Sequence, residues 1–317
     1  MKQGYLNQSG PILEAPAVSL QKNGVEIVDT FAEAFPITGA RLVITAISSE
    51  WARIAATVMT GNATSVIACD VEAAIERELP PDETPDGRPG VAVLAFAFSR
   101  DALGKALAGR VGQSVLTCPT TGCYNGIDGV PKDKQISVGG QLRFFGDTYQ
   151  SSKKLAGRRW WRIPVMDGEF VCEDKFGTVK GVAGGNLLIC GLDQSAALSA
   201  AEHAARAIRA LPDVILPFPG GIVRSGSKVG SKYKKLKAST NDAYCPTLRG
   251  VVKTELTPDV GAVYEIVIDG LSADAVRAAM RAGLHAACQT PGVVRVTAGN
   301  YGGKLGPFHF HLRELVD

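Results

Sequence analysis

The sequence predicts an α+β protein of two similar lobes, and three observations carry that prediction. Short apolar runs with strand-like alternation are interspersed with stretches of helical period. The order strand–helix–strand comes in pairs, and the paired order occurs twice along the 317 residues. Two β-α-β units in series are the ferredoxin-like arrangement, so the chain is expected to be an internal duplication of a split β-α-β lobe.

Residues 1–22 are polar, contain Gly and Pro, and show no period. They read as an N-terminal extension that is disordered or orders against a partner. The first lobe is expected over 23–155. Within it, 41–47 reads as a strand and 49–60 as a helix with Trp51, Ile54, Ala55 and Val58 inward. A strand at 64–69 follows, then a Pro/Gly-rich loop over 80–90, a strand at 91–98, a helix at 101–110 and a strand at 114–117. The second lobe is expected over 156–317. It has a strand at 186–190, a helix at 196–211 capped by Ser195 with Leu198, Ala201, Ala205 and Ile208 inward, and a short strand at 214–216. A strand at 262–269, a helix at 273–288 capped by Ser272 with Val276, Met280, Leu284 and Ala287 inward, and a strand at 293–297 complete the repeat. The middle, 135–182, is strand-rich (136–145, 158–165 and 169–173) and joins the halves.

With 45% hydrophobic and 21% charged residues, the composition is that of a globular protein long enough to bury a sizeable core. No run approaches the roughly 18 apolar residues of a membrane helix, and no apolar stretch behind Lys2 suggests a secretory signal. A cytoplasmic protein is expected. The 7 cysteines form no C-x-x-C pair, and most lie in apolar runs such as 65–69, so reduced thiols packed in the core are expected. A net charge of +3 argues against a dedicated nucleic-acid binder. A second basic run at 153–162, interleaved with aromatics, is weak support for one, and the aromatic signature of an RNA-recognition sheet is missing.

Most generic motifs fail. Gly302-Gly303-Lys304 is followed by Leu305, and position 298 is Ala, so no phosphate loop is present. His309 and His311 share a strand face; they read as a surface or satisfied pair before they read as metal ligands, since no third ligand is near. Cys118 and Cys123 match no standard metal spacing. No metal site is expected.

Three Gly-rich segments lie at strand ends: 181–186 with Gly184, Gly185 and Asn186, 219–222 with Gly220 and Gly221, and 299–304. Each alone reads as a tight turn; three in one lobe suggest a shared cleft. The stretch 224–237 holds Arg224, Lys228, Lys232, Lys234, Lys235 and Lys237 without an acid. A solvated loop and an anion site formed by backbone N–H groups and lysines are both open readings. Glu265 stands between Val263 and Val267 on one strand face. Desolvation would raise its pKa and suit it to general acid work, whereas an edge strand would leave it facing water.

Residues 23–35 (NGVEIVDTFAEAF), 83–90 (ETPDGRPG), 181–186 (GVAGGN), 217–223 (PFPGGIV), 227–232 (SKVGSK), 238–247 (ASTNDAYCPT) and 298–306 (AGNYGGKLG) resemble the formylmethanofuran:tetrahydromethanopterin formyltransferase family. The resemblance runs from about residue 23 to the C-terminus. It implies two ferredoxin-like lobes in a homotetramer built as a dimer of dimers. It also implies no prosthetic group or metal, with methanofuran and tetrahydromethanopterin as carrier substrates and the formyl group passing to N5 of the pterin. Glu265 matches the family's buried, catalytically implicated glutamate in V-Y-E-I-V-I. The matching strings suggest Gly184, Gly185, Asn186, Gly220, Gly221, Ser227, Lys228, Ser231, Lys232, Thr240, Asp242 and Tyr244 as substrate-binding residues, with Asn241 beside Glu265 as the second catalytic candidate.

The chain departs from the acidic archaeal members in being slightly basic, and it carries residues 1–22 in addition. Both features resemble the form in methylotrophic bacteria, a subunit of a formyltransferase/hydrolase complex whose flux runs towards formate and whose furan carrier, methylofuran, bears a polyglutamate tail. Lys234, Lys235 and Lys237 are the expected dock for that tail. The expected chemistry is acyl transfer through a tetrahedral intermediate, with Gly-rich backbone N–H groups or Asn241 at the oxyanion and Glu265 as acid. A different class of function, a subunit that tethers the carrier for a partner hydrolase, would need no intact Glu265.

Overall fold

The computed structural model describes residues 20–226 and 228–317. A hairpin of β1 (Leu20–Lys22) and β2 (Val25–Ile27) opens the described chain, so residues 20–22 of the expected extension belong to the sheet. The first lobe follows: β3 (Phe31–Thr45), α1 (Ser49–Thr60), β4 (Glu72–Leu79), β5 (Gly90–Ala97), α2 (Arg100–Arg110) and β6 (Gly122–Asn125), with strands ordered β4-β5-β3-β6, all antiparallel. A small subdomain comes next, made of β7 (Gln135–Ser137), α3 (Gly139–Leu142), β8 (Ser151–Leu155), β9 (Arg158–Val165), β10 (Gly168–Glu173) and β11 (Lys175–Gly177). The second lobe comprises β12 (Val179–Gly191), α4 (Gln194–Arg209), β13 (Val214–Ile215), the hairpin β14 (Lys228–Val229) and β15 (Ala238–Ser239), β16 (Ala262–Gly270), α5 (Ala273–Cys288), β17 (Val293–Thr297) and β18 (Phe308–His311). Its main strands are ordered β13-β16-β12-β17 and are again antiparallel.

Long strands join the lobes. The first half of β3 pairs with β12 from Phe35↔Ala183 to Gly39↔Val179, and its second half pairs with β5 and β6. A single chain of hydrogen bonds therefore crosses from one lobe to the other, which makes their relative placement stiff.

Several expectations are corrected. The stretch 64–69 is not a strand: Ala68 and Cys69 both donate their backbone N–H to the Ser65 carbonyl, making a turn, and Cys69 is half-buried rather than a core thiol. The strand is β4, whose inward positions include Glu72 and Glu76, so its sequence lacks apolar alternation. Residues 111–115 continue α2 as a π turn because Val111 and Val115 both reach the core; β6 is the strand. Of 136–145, only the first residues are extended. Helix α1 buries Ala52, Ala55, Ala56 and Met59, while Trp51, Ile54 and Val58 lie at the surface. Small alanines let the helix sit close to the sheet, and Ser48 caps it by accepting from Trp51 N–H at 3.4 Å. Helix α4 starts two residues early, capped by Asp193 at 2.8 Å rather than by Ser195, and turns Leu198 partly outward. Helix α5 matches its expected cap and inward face.

The division expected at 155/156 falls in the turn between the paired strands β8 and β9. Ile163, Phe170, Cys172 and Phe176 belong to the apolar core of the first lobe, whereas Val25, Ile27, Ala32 and Ala34 pack into that of the second.

Candidate active site

Glu265 lies mid-strand in β16, opposite Leu188 of β12 and bridged on its other side by Val223 through two backbone hydrogen bonds of 2.7 and 3.1 Å. Strand β12 on one flank and the isolated bridge to Val223 on the other rule out the solvent-facing edge alternative, and the residue is 3% exposed. Alternation puts Ile266 and Ile268 into the helix-covered core, so Glu265 faces the opposite side with Val263 and Val267. There it borders a small hollow with Leu188, Val223, Gly226, Asn241 and Tyr244.

Asn186 sets the other side. Its Oδ1 accepts the Gly299 N–H at 2.7 Å, which orients the amide so that Nδ2 points to Glu265 Oε1 at 3.5 Å. A Cβ on Gly299 would lie 2.6 Å from Nδ2, so only glycine allows this approach. Asn186 also borders the cleft between the lobes, a cavity of about 80 Å³ whose walls include Phe35, Val66, Glu72, Lys228, Tyr301 and Leu305.

The Gly-rich loop 299–306 forms one wall of this cleft. It wraps the carboxylate of Glu33, a fully buried residue of β3. Oε2 accepts from Tyr301 N–H at 2.9 Å and Gly303 N–H at 3.0 Å; Oε1 accepts from Gly306 N–H at 3.1 Å and from Leu305 N–H. Burial pushes the Glu33 carboxyl up, but the four donors overcome it and hold the pKa below the ordinary value. The loop is thus moulded on a negative charge of the protein itself.

The other candidates distribute as follows. Gly184, at φ +92°, lies at the β12 bulge and lines the interlobe cleft. Gly185 packs on Val276 of α5, where a Cβ would lie 2.4 Å from a methyl group. Gly220 and Gly221 form a left-handed turn beside Leu216 and Arg209 and border neither hollow at Glu265. Lys228 borders the cleft with its ammonium paired to Asp242 at 2.7 Å, and the hydrogen bond from Lys228 holds the Asp242 pKa low. Asn241 backs onto Gly226, and Tyr244, its hydroxyl raised in pKa by burial, bonds Thr297. Thr240 Oγ1 donates to the Ser225 carbonyl at 3.3 Å, and Ser231 Oγ accepts from Tyr233 N–H at 3.0 Å. Lys232, Lys234, Lys235 and Lys237 are exposed at the tip of the β14–β15 hairpin. Ser227 lies outside the described residues. His309 and His311 pack on Phe31, with ring centroids 4.6 and 5.2 Å away. All seven cysteines are free thiols. Among the described residues no group of three metal-ligating side chains converges, and no helix is long and apolar enough to cross a membrane.

Sequence reasoning misses Glu33, Glu72 and Asp269. Two of them carry the signal that identifies Glu265: Glu33 lies between Phe31 and Phe35 on one strand face, and Asp269 continues the Glu265–Val267 face.

Residues 20–165 match the family described as formylmethanofuran-tetrahydromethanopterin formyltransferase, and residues 168–315 match that family's proximal lobe. The chain belongs to this formyltransferase family. It is 59% identical to the formylmethanofuran–tetrahydromethanopterin formyltransferase of Methylobacillus flagellatus, covering 93% of this chain and 99% of the relative. It is 55% identical to one of the subunits that make up the formyltransferase/hydrolase complex of Methylorubrum extorquens, covering 93% of this chain and 97% of that one. A crystal structure of that organism's complex with methylofuran contains a chain that superposes with a TM-score of 0.91 at 53% identity, over 94% of this chain and 99% of the other. The Methanosarcina barkeri enzyme gives 0.88 at 52% identity, over 93% and 100%. Glu265 borders one of the two hollows and its partner Asn186 borders the other.

Proposed function

We propose that this chain transfers a formyl group between formylmethanofuran, or a polyglutamylated methylofuran, and N5 of tetrahydromethanopterin, and that Glu265 is the proton donor. The supporting observation is a buried carboxyl held by Asn186 between two hollows. The incoming amine attacks the formyl carbon; the carbonyl electrons move to oxygen, and the C–N bond to the outgoing amine breaks. Glu265 gives its proton to the outgoing nitrogen and its carboxylate takes up the one that the attacking nitrogen releases, so the proton count balances and the acid is regenerated. Asn241 or a backbone N–H of the 224–226 turn stabilises the oxyanion. Gly184, Asn186 and Lys228, which line the cleft, and Tyr244, which lines the hollow at Glu265, bind the carriers, with Asp242 holding the Lys228 ammonium. Holding both carriers in register accounts for much of the rate, since proximity is worth roughly 7–11 kcal/mol. The reading is tested by following formyl-pterin formation with the purified chain; absence of turnover with every partner subunit supplied would reject it.

Lys234, Lys235 and Lys237 project on the hairpin tip away from any partner acid in the run, which suits docking of a polyanionic tail. Replacing all three by Ala should raise KM for a polyglutamylated carrier severalfold at low salt, leave KM for an untailed carrier unchanged, and leave the melting temperature within error. Equal KM for the tailed carrier in both proteins would refute the dock.

Each lobe has the β-α-β-β-α-β order with the same antiparallel strand sequence, which supports a duplicated ferredoxin-like unit. We place the chain in the cytoplasm, without a prosthetic group, in a homotetramer that joins hydrolase subunits and works towards formate. Ile47, Trp51, Ile54 and Val58 form an exposed apolar strip on and beside α1, the kind of surface that oligomer contacts cover. Trp51→Asp with Ile54→Asp should lower the molar mass in light scattering while the far-UV spectrum is retained.

A further inference from the structure

Glu72 of β4 and Asp269 of β16 meet at the junction of the lobes. Asp269 is fully buried and Glu72 is 5% exposed. One oxygen of each is satisfied by backbone: Asp269 Oδ1 accepts from Gly184 N–H at 3.3 Å, and Glu72 Oε1 accepts from Val66 N–H at 3.0 Å. The remaining oxygens, Asp269 Oδ2 and Glu72 Oε2, are buried and have no donor, while the two side chains are in hydrogen-bonding contact with each other. Two ionised carboxylates in this setting would repel one another without water to screen them. A proton shared by the two side chains would supply the donor that their unpartnered oxygens lack.

Strands β3, β5 and β13 bring Ile37, Phe96 and Ile215 to the junction. Among the described residues, the ionisable groups on the faces and elements packed about the pair are Glu265, on the same face of β16, Lys228, which lines the cleft with Glu72 and is paired with Asp242, and Glu76, further along the inward face of β4, whose charge is met by Arg41, which also pairs with Asp213. Burial, followed for Asp269 by the charge of Glu72, pushes both carboxyls up, Asp269 more strongly.

The two backbone partners are parts of the site. Gly184 is the bulge at which β12 changes register, and two residues on is Asn186, which holds Glu265. Val66 belongs to the turn that forms the opposite wall of the cleft. We propose that Glu72 and Asp269 hold a single proton between them and act as positioning residues, fixing the Gly184 bulge and the Val66 turn so that Asn186 meets Glu265. This rests on Glu265 being the acid of formyl transfer.

Infrared difference spectroscopy tests the proton directly. At neutral pH the wild type should show the C=O stretch of a protonated carboxyl that disappears in Asp269→Asn and in Glu72→Gln and survives in Glu265→Gln. Kinetics test the positioning. Glu72→Ala should lower kcat at least tenfold with little change in KM, and Glu72→Gln, whose amide supplies the N–H that the shared proton supplied, should recover most of that loss. The wild type should lose kcat at alkaline pH as the pair and Glu265 give up their protons, and Glu72→Gln should keep only the part of that limb that Glu265 sets, so that its profile differs from that of the wild type. A raised carboxyl pKa means that stability falls as pH rises from the ordinary carboxylate range to the raised value, and Asp269→Asn should flatten that slope. No carboxyl band lost in either pair variant, or the same alkaline limb in wild type and Glu72→Gln, would overturn the proposal. If Glu72→Ala does not fold, the isosteric variants carry both tests. The spectroscopic readout needs no turnover, so it separates failure of this proposal from failure of the formyl-transfer reading.

Discussion

Glu265→Gln is expected to lower kcat by about 10²–10⁴-fold, the usual contribution of a placed proton donor. KM for either carrier should change little, because the amide keeps the shape and polarity of the side chain and the lost interaction is made only on the way to products. Gln can still pack between Val263 and Val267 and can still meet Asn186, so the melting temperature should hold. The measurement is steady-state formyl-pterin formation with each carrier varied in turn. A kcat within twofold of wild type would remove the proton donor from the mechanism and leave proximity and the oxyanion contacts as its whole basis. A rise in KM with unchanged kcat would make Glu265 a binding residue.

The largest loss of stability is expected from Glu33→Ala. The substitution removes the acceptor of four backbone N–H groups. Each buried donor left unmet costs roughly 1–3 kcal/mol, and part of that is regained when the loop opens to water, so a net loss of about 3–5 kcal/mol is expected. The loop 299–306 should become protease-sensitive, and KM should rise because Tyr301 and Leu305 leave the cleft wall. Glu33→Gln, with one acceptor oxygen, should fall between. The sign of the pH effect follows from the depressed pKa: the stabilisation by Glu33 is present above its ordinary value of 4.5 and is lost as pH falls through its lower folded value. Urea midpoints for wild type and Glu33→Gln at neutral and acid pH measure this, and the gap between the two proteins should narrow in acid. A Glu33→Ala protein as stable as wild type would mean that the loop is held by something other than the carboxylate.

Elements in which one physical signal dominates are legible in the sequence. Helix α5 has large apolar residues on its inner face and a serine cap, and both survive in the fold. Helix α1 misleads because apolar size is not burial there: the inner face is alanine and the large residues point out. Strand β4 is invisible to patterning because the positions that turn inward carry glutamates whose partners, Arg41 for Glu76 and Asp269 for Glu72, come from distant sequence. Glu265 stands out because its valine neighbours are adjacent in sequence. Glu33 is flanked by Phe31 and Phe35 in the same way, yet the loop that explains it lies some 270 residues further on. The lysine run of 224–237 reads as one unit, but folding divides it. Lys228 turns into the cleft and pairs with Asp242, while Lys232, Lys234, Lys235 and Lys237 stay on the exposed tip. Local patterning shows which residues are unusual; only the pairing of β3, β12 and β16 shows which of them meet.

The formyl group is expected to react beside Glu265, which borders one hollow and meets Asn186 of the interlobe cleft. A crystal structure of the Glu265→Gln protein with formylmethanofuran bound tests it most directly. The account predicts the formamide within hydrogen-bond reach of residue 265, about 2.6–3.2 Å, with Asn186 next to it and the neighbouring hollow open for the pterin. A formamide seated elsewhere, for example in the wider polar hollow lined by Lys132, Lys154 and Arg159, with residue 265 out of reach, would contradict it.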